Sequence, residues 1–157
     1  MCDYLNTGFK AENVTSLVNQ ITSRIEIEVM RDRERWQDSM LYIQKGERIK
    51  WIKDYAVQRP KFIREHIIDY FELENGISDI QVVQNINMGH VKINSIEIKE
   101  SFWTGKYIEN IPIQIEAIPN EGYVFEKWKS QRLPQEPLIK VKTKKNKKFI
   151  PIFKKIE

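Results

Sequence analysis

A chain of 157 residues with 41% apolar and 11% aromatic side chains can build one compact domain or two small ones, which excludes global disorder. Its formal charge of +4 is unevenly placed: residues 138–157 hold eight Lys against one Glu, a sum of +7, leaving −3 for the other 137 residues. That balance excludes a chain-wide nucleic-acid footprint, and the single cysteine, Cys2, excludes an internal disulfide framework and any cysteine-based metal cluster.

No run approaches the roughly 18 apolar residues that span a bilayer, so no membrane span is expected. The chain as given also lacks a basic stretch followed by an apolar one, so no secretory signal is expected in it.

Val14, Leu17, Val18, Ile21, Ile25 and Val29 recur at steps of three and four, which places them on one helical stripe. Asn6 or Thr7 leads into this helix, and "RDRERW" continues it to Trp36. Asp38 or Ser39 is a candidate cap for a second helix. Its inner stripe is Tyr42, Lys45, Ile49, Ile52 and Ala56, flanked by Trp51 and Tyr55. Arg59-Pro60 is expected to end it, because the residue before proline is pushed out of the α region. Pro60 then opens a third helix with Ile63, Ile67, Tyr70 and Phe71 on one face, closed at Asn75-Gly76.

Past Gly76 the period changes to two. "DIQVVQNI", "HVKINSIEI", "IPIQIEAI", "GYVFEKW", "LIKVKT" and "KFIPIFKKI" are short, β-branched or aromatic, and separated by turn residues. Pro112 and Pro151 point to edge positions or strand ends. The expected fold class is therefore α+β. A helical segment, residues 1–75, carries three helices over 10–74, and a small antiparallel β module follows over 77–157.

Within that frame the aromatic runs divide. Tyr123 and Phe125, two apart, face into the sheet, with Trp128 closing the end of the core. "ESFWTGKY" reads as a loop or hairpin around Thr104-Gly105, which makes Trp103 and Tyr107 the candidate ligand contacts. "KTKKNKK" reads as a solvated turn whose lysines keep strand edges from pairing with other chains. The same lysines, Lys144, Lys145, Lys147 and Lys148, are candidate contacts for an anionic polymer. No aromatic lies between them, which disfavours nucleic acid. His66 and His90 fall in different halves without ligand-like spacing, so no metal is expected. No catalytic residue and no cofactor-binding residue emerges.

Two long stretches carry a family resemblance. "DYLNTGF", "VTSLVNQITSRIEIEVMRDRERW" and "IKDYAVQRPKFIREHIIDYFEL" resemble the C-terminal portion of CotH-family proteins, the spore-coat-type atypical protein kinases. The most specific part places Tyr55-Ala56, Arg59-Pro60, Arg64, His66 and Tyr70-Phe71 on the family's pattern. The second half resembles the divergent B-repeat type of bacterial β module, through Ala117, Pro119, Gly122, Tyr123, Phe125 and Trp128. Such modules commonly follow the kinase-like part in CotH proteins.

The family's catalytic segments have no counterpart here. Phosphoryl transfer needs metal and phosphate cradles held together, and neither a Gly-rich loop, a Lys–Glu pair nor an Asp with a metal-binding Asn can be assembled. The resemblance implies a non-catalytic C-terminal region acting as scaffold and adhesion or targeting module, located at a spore coat or cell surface. Two alternatives are an accessory part of an active kinase that positions substrate, and a glycan-binding β module using Trp103 and Tyr107. The implied partners are an upstream kinase-like domain or a second copy, with Trp36 and Trp51 as candidate helical contacts, and possible coat or cell-wall components.

Overall fold

The structure, a computed structural model, describes residues 1–36, 39–73, 76–142 and 144–156. It divides into a helical unit, Asp3–Asp69, and a β unit, Tyr70–Glu157. The division lies a few residues ahead of the change in period. The fold is α+β, with helices followed by mainly antiparallel sheets.

In the helical unit a single turn, α1 (Cys2–Leu5), precedes α2 (Ala11–Trp36) and α3 (Ser39–Tyr70). Asn6 and Thr7 do not lead into α2; they close α1, their amides donating to the carbonyls of Asp3 and Tyr4. Glu12 sits in the first turn of α2, where a carboxylate suits the positive end of the helix.

Pro60 corrects the expectation of separate second and third helices. It lies inside one continuous α3. An interior proline costs about 3 kcal/mol through its lost donor and steric clash. Ala56 and Arg64, one turn to either side, are both buried, and Arg64 Nη1 donates to the Pro60 carbonyl at 2.9 Å. The left-handed residue after α3 is Glu72 (φ 51) rather than Gly76. Asp38 and Asn75, read as cap and stop, lie outside the described residues, as do the side chains of Ser39, Tyr42 and Lys45.

Nine strands lie among the described residues of the β unit. β1 (Ile77–Val83), β2 (Gly89–Ile93), β3 (Ile96–Ile98), β4 (Phe102–Ile108) and β5 (Pro112–Pro119) come first. β6 (Tyr123–Trp128), β7 (Leu138–Lys142), β8 (Lys147–Phe149) and β9 (Pro151–Lys155) follow. They form sheets ordered β4-β1-β8, β3-β2-β5-β7 and β6-β9. Every pairing is antiparallel except β1 with β8.

Alternation sends Ile80 and Val82 of β1, Val91 and Ile93 of β2, and Ile113 and Ile115 of β5 into one core. "HVKINSIEI" is two strands, not one. Asn94, in the left-handed region (φ 49), turns the chain in two residues, as tight hairpins require. Its amide and side-chain oxygen also exchange hydrogen bonds with the backbone of Gln114, at 2.9 Å each.

Three contacts close the core. Gln84, nearly buried, accepts from the Val91 amide (2.7 Å) and donates to the Ile98 and Glu100 carbonyls (2.8 and 2.9 Å). It thereby ties the end of β1 to β2 and to the end of β3. A bulge between Phe125 and Lys127 shifts the parity of β6 by one residue. Trp128 therefore enters the core on the side of Tyr123 and Phe125, 1% exposed. Its indole Nε1 donates to the Glu136 carbonyl at 2.8 Å. Third, the Phe153 ring of β9 lies over Gly89, where any Cβ would stand 2.6 Å from both the ring and the Ile118 carbonyl.

Two glycines are thus distinguishable by experiment. Gly89→Ala forces Phe153 or the β5 backbone to move and should cost about 1–3 kcal/mol, the range for overpacking. Gly122 (φ 80) faces open space, so Gly122→Ala incurs only left-handed strain, about 1 kcal/mol. Urea unfolding should rank Gly89→Ala as the more damaging; the reverse order would contradict the close approach.

Candidate functional site

Helices of this length draw most of their stability from packing an apolar face, so an apolar stripe left in water marks a candidate interaction surface. In the helical unit such a surface is built around α1. Leu5, 2% exposed, Phe9, Val14 of α2, and Ile52, Ala56 and Ile63 of α3 line a groove of about 270 Å³. Arg59 stands at the groove with its guanidinium 5.6 Å from the centroid of the Tyr55 ring.

The wall of the groove is held by a buried charge. Arg64 is 4% exposed. It donates through Nη2 to Asn6 Oδ1 at 2.9 Å and to the Leu5 carbonyl at 3.5 Å, and through Nη1 to the Pro60 carbonyl at 2.9 Å. A guanidinium out of water needs acceptors on every side it presents. The end of α1 supplies two of them, and this fixes α1 against α3. Thr7 Oγ1 back-bonds to the Asp3 carbonyl and Asn13 Nδ2 to the Thr7 carbonyl, both at 2.8 Å. These bonds lock the segment that carries Phe9.

From Val14 the apolar positions of α2 continue by steps of three and four through Leu17, Ile21 and Ile25, which are exposed. Ile52, Tyr55 and Phe62 of α3 are exposed as well. Full burial of such a side chain from full exposure is worth roughly 1.5–3 kcal/mol, so covering these half-exposed ones would contribute about half of that each. Trp36 and Trp51, the candidate contacts read from the sequence, are 69% and 66% exposed.

The sequence-derived contacts in the β unit fare differently. "FWTGKYI" is a strand, paired along its whole length with β1, and not a loop. Thr104-Gly105 looks like turn chemistry, but Gly105 occupies an ordinary register position opposite Ile80. Alternation then turns Trp103 and Tyr107 inward, 9% and 3% exposed. Both rings belong to the core and present no face to a sugar. Lys144, Lys145 and Lys148 are exposed, and Lys147 is half-buried. His66 and His90 lie in different units, and no cluster of three metal-ligating side chains occurs among the described residues.

The Asn6–Arg64 clamp was not singled out from the sequence. A signal for it existed: Ala56, Pro60 and Arg64 follow one another by four, placing an arginine on the stripe of small and apolar residues that α3 buries. Family models, curated proteins and solved structures offer no match to this chain.

Removing the clamp's acceptor should loosen α1 specifically. Asn6→Ala leaves the buried guanidinium short of a charge-assisted bond, a loss of about 1.5–3 kcal/mol. Thermal melts followed by far-ultraviolet circular dichroism should show the drop. A melting curve that coincides with that of the parent chain would mean that the clamp holds nothing in place.

Proposed function

We propose that this chain is a non-catalytic C-terminal region of a CotH-like spore coat or surface protein. The helical unit is its scaffold, docking on the kinase-like part or on a second copy, and the β unit is its adhesion or targeting module. One observation carries the reading. The segment where the resemblance begins, "DYLNTGF", and part of its most specific stretch, "RPKFIREH", lie far apart in the chain yet meet in the fold: Asn6 accepts from Arg64, and Leu5, Phe9 and Pro60 line one groove. Segments far apart in the chain that meet in this way build one apolar surface, which suits docking.

The exposed Leu17–Ile25 side of α2 supports the same reading. It is too apolar for a solvated helix face and continues directly from the groove. The β unit contributes a closed core, with its largest rings turned inward, which suits a spacer or adhesive module rather than a reaction vessel.

Calorimetric titration with ATP and Mg²⁺ should release no binding heat; saturable nucleotide binding would overturn the non-catalytic assignment. The docking surface is tested by Leu17→Glu combined with Ile21→Glu. Because both side chains are already exposed, the helical signal should persist while self-association, or capture of the kinase-like part, is lost in light scattering. Collapse of the helical signal would show that these side chains hold the unit itself together.

A further inference from the structure

Five lysines succeed one another around the edge where the chain passes from the four-stranded to the three-stranded sheet. Lys140 and Lys142 are exposed on β7, alternating with buried Ile139 and Val141. Lys144 and Lys145 are exposed in the connection, and Lys148 is exposed on β8 beside buried Phe149. Lys147 is not part of the row: it is half-buried, and its Nζ donates to the Lys142 carbonyl at 3.4 Å.

An exposed lysine on a strand is commonly matched by a carboxylate across the ladder. Here Lys140 lies opposite Gln114, Lys142 opposite Pro112, and Lys148 opposite Gln81. The acidic positions closest in register are Glu116, opposite Leu138, and Asp79, whose carboxylate receives Lys106 Nζ at 2.8 Å. Among the described residues, none of the five ammonium groups has a carboxylate within 4.0 Å. Outward lysines also protect a short edge from pairing. Five uncompensated charges repel one another, and an anionic partner would relieve that repulsion.

We infer that this row docks a linear, base-free phosphate polymer, with successive ammonium groups taking successive phosphates. Charge complementarity names an anion. Lysine, a rotatable point charge rather than a planar fork, suits phosphates of variable orientation, and no arginine occurs after Arg132. Bases would require stacking platforms, but Phe149 and Phe153, the aromatic side chains of residues 138–157, are both buried. The row also passes from the edge strand of one sheet to the edge strand of another. A flexible chain can follow that path by bending.

The inference gives the targeting role of the β unit a ligand class, and it rests on that role only for its biological setting. The test is fluorescence anisotropy of the full chain with labelled inorganic polyphosphate over a salt series. A slope of about −0.7 in log K against log salt is expected per phosphate contacted, so five contacts weaken binding about a hundredfold between roughly 50 and 200 mM salt. Replacing Lys140, Lys142, Lys145 and Lys148 together by Gln should flatten the slope to about −0.7 and abolish measurable binding at the higher salt. Replacing Lys10, Lys50, Lys53 and Lys61 of the helical unit by Gln removes the same charge and should change little. Equal losses in both variants, or none in the first, would overturn the inference. So would an oligo(dT) of equal charge binding as tightly as polyphosphate, which would point to nucleic acid. Nucleotide binding that survives in the first variant would instead count against the non-catalytic reading alone.

Discussion

Phe153 against Gly89 is the contact on which the β unit closes. Among the described residues the pair β6-β9 shares no ladder hydrogen bonds with either larger sheet, so side-chain contacts and the short chain connections from β5 and β8 attach it. A phenyl ring lying where a Cβ would otherwise stand lets β9 approach the β2–β5 ladder at Gly89 and Ile118. Phe125 then meets Phe153 edge-on, at 6.4 Å between centroids, and Trp128 meets Phe149 in the same manner at 6.2 Å. Edge-to-face pairs of this kind add about 0.5–1.5 kcal/mol each beyond their buried area. The two-stranded piece, marginal by itself, becomes the lid of the core through these rings.

Most of this architecture follows from side-chain periods that are visible in the chain itself. The change from steps of three and four to steps of two near residue 76 separates helices from strands, and the inward rows of β1, β2 and β5 are their alternating apolar residues. What the period does not reveal is long-range compensation. Arg59-Pro60 carries a strong local stop signal, yet α3 continues through it, with Ala56 and Arg64 buried on either side. Thr104-Gly105 carries a turn signal, yet seven register pairs with β1 hold it extended. The inward position of Trp128, three residues after Phe125, is legible only once a bulge is allowed for, since strict alternation would send it to solvent. The candidate docking surface was legible as a stripe but not as a groove. The groove depends on α1, and α1 is held by an asparagine and an arginine far apart in sequence.

The two units solve the burial problem in opposite ways. Each β strand is short, but lateral pairing brings its inward side chains together, so rings such as Trp103 and Tyr107 vanish into the core. The helices of the other unit bury side chains chiefly around α1 and leave Leu17, Ile21, Ile25 and Phe62 in water. Surface apolar residues scattered singly need no explanation. A row at helical spacing that begins in a groove does, because its coverage by another protein surface is worth several kcal/mol.

The lysines of β7 and β8 illustrate how one feature can suit two ends. A short edge strand bearing outward lysines resists pairing with another chain, and this requires only that the charges remain solvated. Binding a flexible polyanion requires the same solvated, unneutralised charges, arranged so that neighbours are not quenched by carboxylates. Had edge protection been the sole constraint, cross-strand glutamates opposite Lys140 and Lys142 would have preserved polarity while improving stability by up to about 1 kcal/mol per pair. Gln114 and Pro112 occupy those positions instead. The ladder thus forgoes a stabilisation open to it, and what it retains in exchange is a line of positive charge accessible from outside.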